Sequence, residues 1–185
     1  EMKGNKDVVP FIGSAFLGRI GDYRATKTNF NPKGKTLWVL CSVPKYFYTQ
    51  WSAPQGPMFI KYLDSQVIFL KSLKNNSRKN ILCRDYHYDY GWGDVDYIQT
   101  NTGPFLIDTA RKPLRRMIQD ARLTVFTYDC TSMQESMSLN LPTICYWEEN
   151  FFPWRNSAKD LLEKLKEANI FHHNPVEAAN FIESL

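Results

Sequence analysis

One stretch limits what this chain can fold into more than any other: Leu123-Thr-Val-Phe-Thr-Tyr-Asp-Cys-Thr-Ser-Met-Gln-Glu-Ser-Met-Ser-Leu-Asn-Leu-Pro-Thr-Ile-Cys-Tyr-Trp147. Residues 123–128 are β-branched and aromatic, which suits a strand buried on both faces. Asp129-Cys130-Thr131-Ser132 supplies turn and cap residues, and residues 133–140 suit a short helix. Asn140-Leu141-Pro142 ends that helix, because proline disfavours helical geometry in the residue before it. Residues 142–147 form a second strand-like run. Strand, turn, helix and strand in so little chain make a βαβ unit with parallel strands. Its helix begins with two hydroxyls, Thr131 and Ser132, at the end of a buried strand. A helix start offers free backbone N–H groups and a positive dipole end, so it suits a phosphate.

The alternation continues on both sides. Residues 36–42 (Thr-Leu-Trp-Val-Leu-Cys-Ser) read as a first core strand. A long aromatic loop follows over residues 44–57. Phe59, Leu63, Val67 and Leu70 then give a helical stripe, predicting a helix over about 58–73 that ends at Asn75-Asn76-Ser77. Residues 80–84 are a short strand, 85–93 a loop rich in Tyr and His, and 91–102 one irregular helical turn. Residues 105–108 form a third short strand, and Pro113 opens a helix with Leu114, Met117, Ile118 and Ala121 on one face. After the central unit, a helix starts near Pro153 or Trp154 with Ala158, Leu161, Leu162, Leu165 and Ala168 inward. Ile170-Phe171-His172 reads as an edge strand. Asn174-Pro175-Val176-Glu177 is a cap, a first-turn proline and a third-position acid that start a terminal helix. Strands alternating with helices predict an α/β fold: an open, mainly parallel sheet of about five or six strands with helices on both faces. Residues 1–35 show no periodicity and read as a linker, or as a segment crossing from a missing N-terminal domain; residues 36–185 are the domain.

A chain of 185 residues can bury one sizeable core. No apolar run approaches the roughly 20 residues of a membrane span. The leading residues lack the basic head and apolar body of a signal peptide. The formal net charge of +4 fits an anionic ligand or membrane surface nearby but falls short of a nucleic-acid signature. Cys41, Cys83, Cys130 and Cys145 lie in or beside apolar runs without C-x-x-C spacing and read as reduced core thiols.

Several residues carry candidate chemistry. Ser132-Met-Gln-Glu135 spells a capping box, and Thr131-Ser-Met-Gln134 spells another one register earlier. Capping and phosphate binding are both open, since a cap uses one amide and leaves others. Arg84 and His87 end the second strand and enter its loop, where ligands bind in open α/β sheets. There an arginine can pair with a phosphate and a histidine can hydrogen-bond a base. Tyr86, Tyr88, Tyr90 and Trp92 can stack a nucleobase or pack the loop. The basic run Arg111-Lys-Pro-Leu-Arg-Arg116 opposes the helix dipole, which hints at an anion or a solvated face. His172 and His173 have no ligand-spaced partners, so no metal site is expected, and no cofactor motif is present. No catalytic acid–base pair stands out.

Taken with their order and spacing, several stretches carry a resemblance. They are Trp51-Ser-Ala-Pro-Gln-Gly-Pro57, Arg84-Asp-Tyr-His-Tyr-Asp-Tyr-Gly-Trp92, Thr127-Tyr-Asp-Cys-Thr-Ser-Met-Gln-Glu135, Asn140-Leu-Pro-Thr-Ile144 and Arg155-Asn-Ser-Ala158. Residues 36–182 resemble bacterial surface-carbohydrate transferases of the leptospiral type, within the glycosyltransferases built from two Rossmann-like domains (GT-B) and related to Kdo transferases. The resemblance implies the C-terminal, Rossmann-like half of such an enzyme, which binds the nucleotide-sugar donor. In related enzymes a Ser/Thr pair at a helix start holds the phosphate of a CMP-sugar, and Thr131 and Ser132 match that place. A His-Pro motif contacts the nucleotide there; the comparable loop here reads Tyr86-His87-Tyr88 without the proline. The nucleotide site implied is Arg84, His87, Thr131, Ser132 and Glu135. The catalytic residues would lie in the N-terminal domain, leaving this domain inactive alone. The implied partners are a nucleotide-sugar donor, a glycan acceptor and that N-terminal domain, not nucleic acid. The implied place is the cytoplasm, at or near the inner face of the membrane. The alternative function is a non-catalytic module that binds a nucleotide or an anionic partner.

Overall fold

The computed structural model of the chain describes Ser14, Leu17 and residues 31–46, 54–88, 90–109 and 112–185. Six parallel strands form one sheet in the order β3-β2-β1-β4-β5-β6. They are β1 (Thr36–Val39), β2 (Ile81–Arg84), β3 (Leu106–Ile107), β4 (Leu123–Phe126), β5 (Thr143–Tyr146) and β6 (Phe171–His172). The helices are α1 (Pro57–Ser72), α2 (Asn75–Lys79), α3 (Asp94–Thr102), α4 (Leu114–Asp120), α5 (Thr131–Ser138), α6 (Lys159–Glu167) and α7 (Pro175–Ser184). This is the doubly wound, Rossmann-like arrangement, with the strand order reversing between β1 and β4.

Burial follows position in the sheet. β1, β4 and β5 are buried at every residue, β2 at every second one, and edge strand β3 at neither. Helix α1 packs between α3 and α7 on one face, so its apolar stripe widens to include Phe69 beside Phe59, Tyr62, Leu63, Val67 and Leu70. Phe69 stacks on Trp38 of β1 (5.7 Å) and on Tyr146 of β5 (4.8 Å), which seats α1 over the middle of the sheet. Helices α4 and α5 pack together. Thr143 points away from Tyr146 by strand alternation and meets Ser136 of α5 at 2.6 Å, which places α5 on the opposite face.

Two asparagines deliver helices into strands. Asn140 and Asn169 both take φ 55°. Behind them Leu141 N bonds Ser136 O (3.1 Å) and Ile170 N bonds Leu165 O (2.8 Å). These are Schellman endings with asparagine in the left-handed position and an apolar residue next. They turn α5 into β5 and α6 into β6. The Asn174 cap is present as read: its side chain accepts from Glu177 N at 3.0 Å and donates to the Glu177 carboxylate at 2.6 Å.

Some boundaries depart from the sequence reading. Asn75-Asn76-Ser77 opens α2 rather than merely ending a helix. The irregular turn expected after Gly91 is a nine-residue helix, started by Gly93 in the left-handed region with Asp94 and Asp96 in its first turn. The helix expected at Pro153 begins at Lys159 after a 3-10 turn over Asn156–Ala158. Leu161 faces solvent, and only Leu162 and Leu165 of α6 are buried. The leading segment lies outside the described residues except for Ser14, Leu17 and residues 31–35; Leu17 packs on the core. Residues 47–53 also lie outside them.

Candidate functional site

In an open α/β sheet the ligand crevice lies beyond the carboxyl ends of the two strands where the order reverses. Those strands are β1 and β4, and their ends are tied by a buried chain of hydrogen bonds. Cys41 N donates to the Tyr62 hydroxyl (2.7 Å), and Thr127 Oγ1 donates to Val39 O (2.8 Å). Tyr62 Oη and Thr127 Oγ1 are 2.6 Å apart. The single Thr127 proton is committed to a carbonyl, so Tyr62 must donate to Thr127. A second run goes from Trp38 Nε1 to Tyr146 Oη (3.2 Å), on to Gln66 Oε1 (2.6 Å), and from Gln66 Nε2 back to Tyr62 O (3.0 Å). Helix α1 thus fixes the separation of the strands that border the crevice.

From Thr127 the chain runs through Tyr128, Asp129 and Cys130 into α5. Cys130 is the N-cap, extended at φ −145° and ψ 158°, and no side-chain oxygen caps the helix. Neither capping box forms. Thr131 is exposed, and Ser132 and Glu135 are half-buried. Burial pushes the Cys130 thiol up to about 11, although the Met133 amide, the Tyr128 hydroxyl and the Ser132 amide favour its thiolate. Burial likewise pushes Cys41 up to about 12. Both are neutral at physiological pH and poor nucleophiles. Asp129 is exposed, yet the protein around it still lifts its carboxyl above the ordinary range. Burial also lifts Glu135, with the Arg115 cation opposing. The exposed α5 start therefore offers backbone amides and hydroxyls rather than a covalent catalyst.

One strand away lies the β2 end. Arg84 and Phe126 are both in register with Val39 on opposite sides of β1, so their Cα atoms are roughly 10 Å apart at the usual strand spacing. Arg84 Nη1 bonds Asp108 Oδ2 at 2.7 Å, and both side chains are largely buried. His87 is exposed, its ring on Tyr86 at 4.6 Å, and Tyr86 stacks on Tyr90 at 5.8 Å. Trp92 Nε1 donates to Val43 O at 2.9 Å, which ties this loop to the one leaving β1. A cavity of about 190 Å³ opens here, lined by Asp85, Tyr86, Tyr88, Asp94 and Asp96.

Residues 16–185 match the model of a family described as LIC12162 family transferase. The chain belongs to that family of transferases. No curated protein and no solved structure matches it.

In this family member the five residues singled out from sequence fall into two groups on neighbouring carboxyl ends. Thr131, Ser132 and Glu135 share the α5 start, and Arg84 and His87 share the β2 loop, with β1 between. Sequence reasoning missed Tyr62 and Thr127. The available signal was a tyrosine on a core stripe, whose hydroxyl needs a buried partner. It also missed the Trp147–Trp154 pair. These indoles stack at 6.0 Å and 12° in the loop after β5, and neither Nε1–H has a hydrogen-bond partner. Among the described residues no helix is long and apolar enough to cross a membrane.

Proposed function

We propose that this chain is the donor-binding, C-terminal domain of a GT-B glycosyltransferase in bacterial surface polysaccharide synthesis, working in the cytoplasm with a Kdo-like CMP-sugar. Membership of a transferase family supports the reading. The observation that carries it is the α5 start: a helix with no side-chain oxygen capping it, only the weakly accepting Cys130 sulfur, opening at the point where strand order reverses. Thr131 and Ser132 with the first amides of α5 hold the donor phosphate, and His87 reaches the nucleotide. Displacement at the anomeric carbon leaves negative charge on that phosphate, and the amides and dipole stabilise it as it departs. Arg84 sets the wall of the site through Asp108 rather than by a free cation. The carboxylates and tyrosines of the β2–α3 cavity suit neutral hydroxyls, so that cavity is assigned to the glycan acceptor. The base comes from an N-terminal domain, and closure of the two assembles the site.

A thermal-shift panel of CMP, UDP, GDP and dTDP tests the reading. One nucleotide, expected to be CMP, raises Tm by a few degrees at ligand well above Kd. It also slows hydrogen exchange over residues 131–135. Thr131→Ala with Ser132→Ala keeps the fold and loses the shift. No shift with any nucleotide, or an equal shift in the double variant, overturns the site.

A further inference from the structure

The two ends of this sheet differ in charge: the carboxyl edge mixes carboxylates with Lys45 over the Trp92 ring, and the amino edge is mainly cationic. Asp85, Asp94, Asp96 and Asp129 line the carboxyl edge. Around the amino ends of β2, β1 and β4 stand Lys33, Lys35, Lys74, Arg78, Lys79 and Arg122 against Asp120 and Glu183. Cations outnumber carboxylates at this edge. Like charges gathered this way repel one another, and an anion relieves the repulsion.

The centre of the patch is concave. A hollow of about 410 Å³ is lined by Lys35, Lys79 and Arg122 with Asn76, Ser77 and Asn80. Arg122 is held in place. Its Nε donates to Thr36 Oγ1 at 3.2 Å, its backbone N bonds Lys35 O at 3.0 Å, and Thr36 is buried. Among the described residues no carboxylate forms an ion pair with Lys35, Lys79 or Arg122. Glu183 borders the hollow, held by the Ser77 side chain; it accepts from Lys74 N at 2.9 Å with Lys74 Nζ at 3.8 Å, so its charge is already shared.

We propose that this amino edge docks on an anionic lipid surface, with Arg122, Lys35 and Lys79 around a headgroup phosphate and Lys33, Lys74 and Arg78 on neighbouring headgroups. The spread of cations beyond the hollow favours an extended anionic surface over a single small anion. A domain bound this way turns its carboxyl edge, with the α5 start, away from the bilayer. The proposal stands apart from the donor reading, because it uses the opposite edge and none of the same residues.

The test is sedimentation of the 185-residue chain with vesicles of phosphatidylcholine alone or with about one-third phosphatidylglycerol. The expected result is binding to the anionic vesicles only, lost at roughly 0.5 M salt. Lys35→Gln, Lys79→Gln and Arg122→Gln together lower partitioning on the order of a hundredfold, about fivefold per cation. Lys61→Gln, Arg155→Gln and Lys159→Gln make the same charge change elsewhere and leave most of the binding. Unchanged melting temperatures show that both triple variants are folded. Equal loss in the two triple variants, or no binding to anionic vesicles, overturns the proposal. Inorganic phosphate separates the sources: a Tm rise in phosphate without vesicle binding identifies a small-anion pocket and overturns the lipid surface. Competition by phosphate no stronger than by chloride at equal ionic strength supports it.

Discussion

The Tyr62 hydroxyl on α1 lies 2.6 Å from the Thr127 hydroxyl at the end of β4, and through this contact one helix holds the carboxyl ends of β1 and β4 together. Tyr62→Phe strands a buried amide at Cys41 and removes the donor to Thr127. The expected cost is about 1–3 kcal/mol. Thr127→Val costs a similar amount. Because each hydroxyl serves the other, the double variant loses about 1 kcal/mol less than the sum of the single changes. Urea midpoints of the four proteins measure this. Strict additivity would show that the two hydroxyls act separately.

Breaking the Arg84–Asp108 pair is expected to be severe, since its side chains are only 14% and 7% exposed. Arg84→Met leaves an uncompensated carboxylate and costs about 3–5 kcal/mol. Arg84→Met with Asp108→Leu recovers most of that loss. Denaturant melts that find the double variant as unstable as the single one would count against the pairing.

Cys130 occupies a position where an oxygen caps better than sulfur. Cys130→Ser therefore stabilises the chain by about 0.5–1 kcal/mol. Its hydroxyl also takes an amide at the α5 start, so a phosphate-bearing ligand binds more weakly. Thermal melts with and without nucleotide read both effects.

Burial holds His172 below its ordinary value of 6.5 in the fold. The unfolded chain then takes up a proton that the folded chain resists, so stability falls as pH drops through that value. The expected urea midpoint declines from pH 7 to pH 5 by more in the wild type than in His172→Gln. Identical slopes would remove His172 as the cause.

Trp147 is almost fully buried, yet its indole N–H bonds nothing. An unmet buried donor costs about 1–3 kcal/mol, which offsets part of what the larger ring contributes by packing. Trp147→Phe is accordingly expected to cost under about 1 kcal/mol, where Trp147→Ala costs about 3–5 kcal/mol. Chemical denaturation of both variants gives the comparison.

The layout of the fold was legible because it depends on short-range patterns. The stripe of α1, the two buried runs around α5 and the Asn174 cap are local events, and each appears where the pattern put it. Helix α3 reads as a single irregular turn because its turn signals, Gly91 and Gly93, precede a run without a strong apolar stripe, in which only Ile98 is buried. The site was only half legible. Thr131 and Ser132 announce a helix start, but nothing local says whether Glu135 folds back to cap it. Arg84 looked available because Asp108 lies far along the chain and meets it only across the β2–β3 pair. The Tyr62–Thr127 tie likewise joins residues that only the finished sheet brings together.

The way the chain enters β1 bears on movement. Asn31 Nδ2 bonds Asp120 O at 3.1 Å, and Arg122 N bonds Lys35 O at 3.0 Å. Between them Gly34 lies so close to the end of α4 that a Cβ there would strike the Asp120 carbonyl and stand 2.8 Å from Arg122 N. Three fastenings in five residues make a rivet, not a hinge. From Asn31 onward, β1 and the crevice edge travel as one piece with α4.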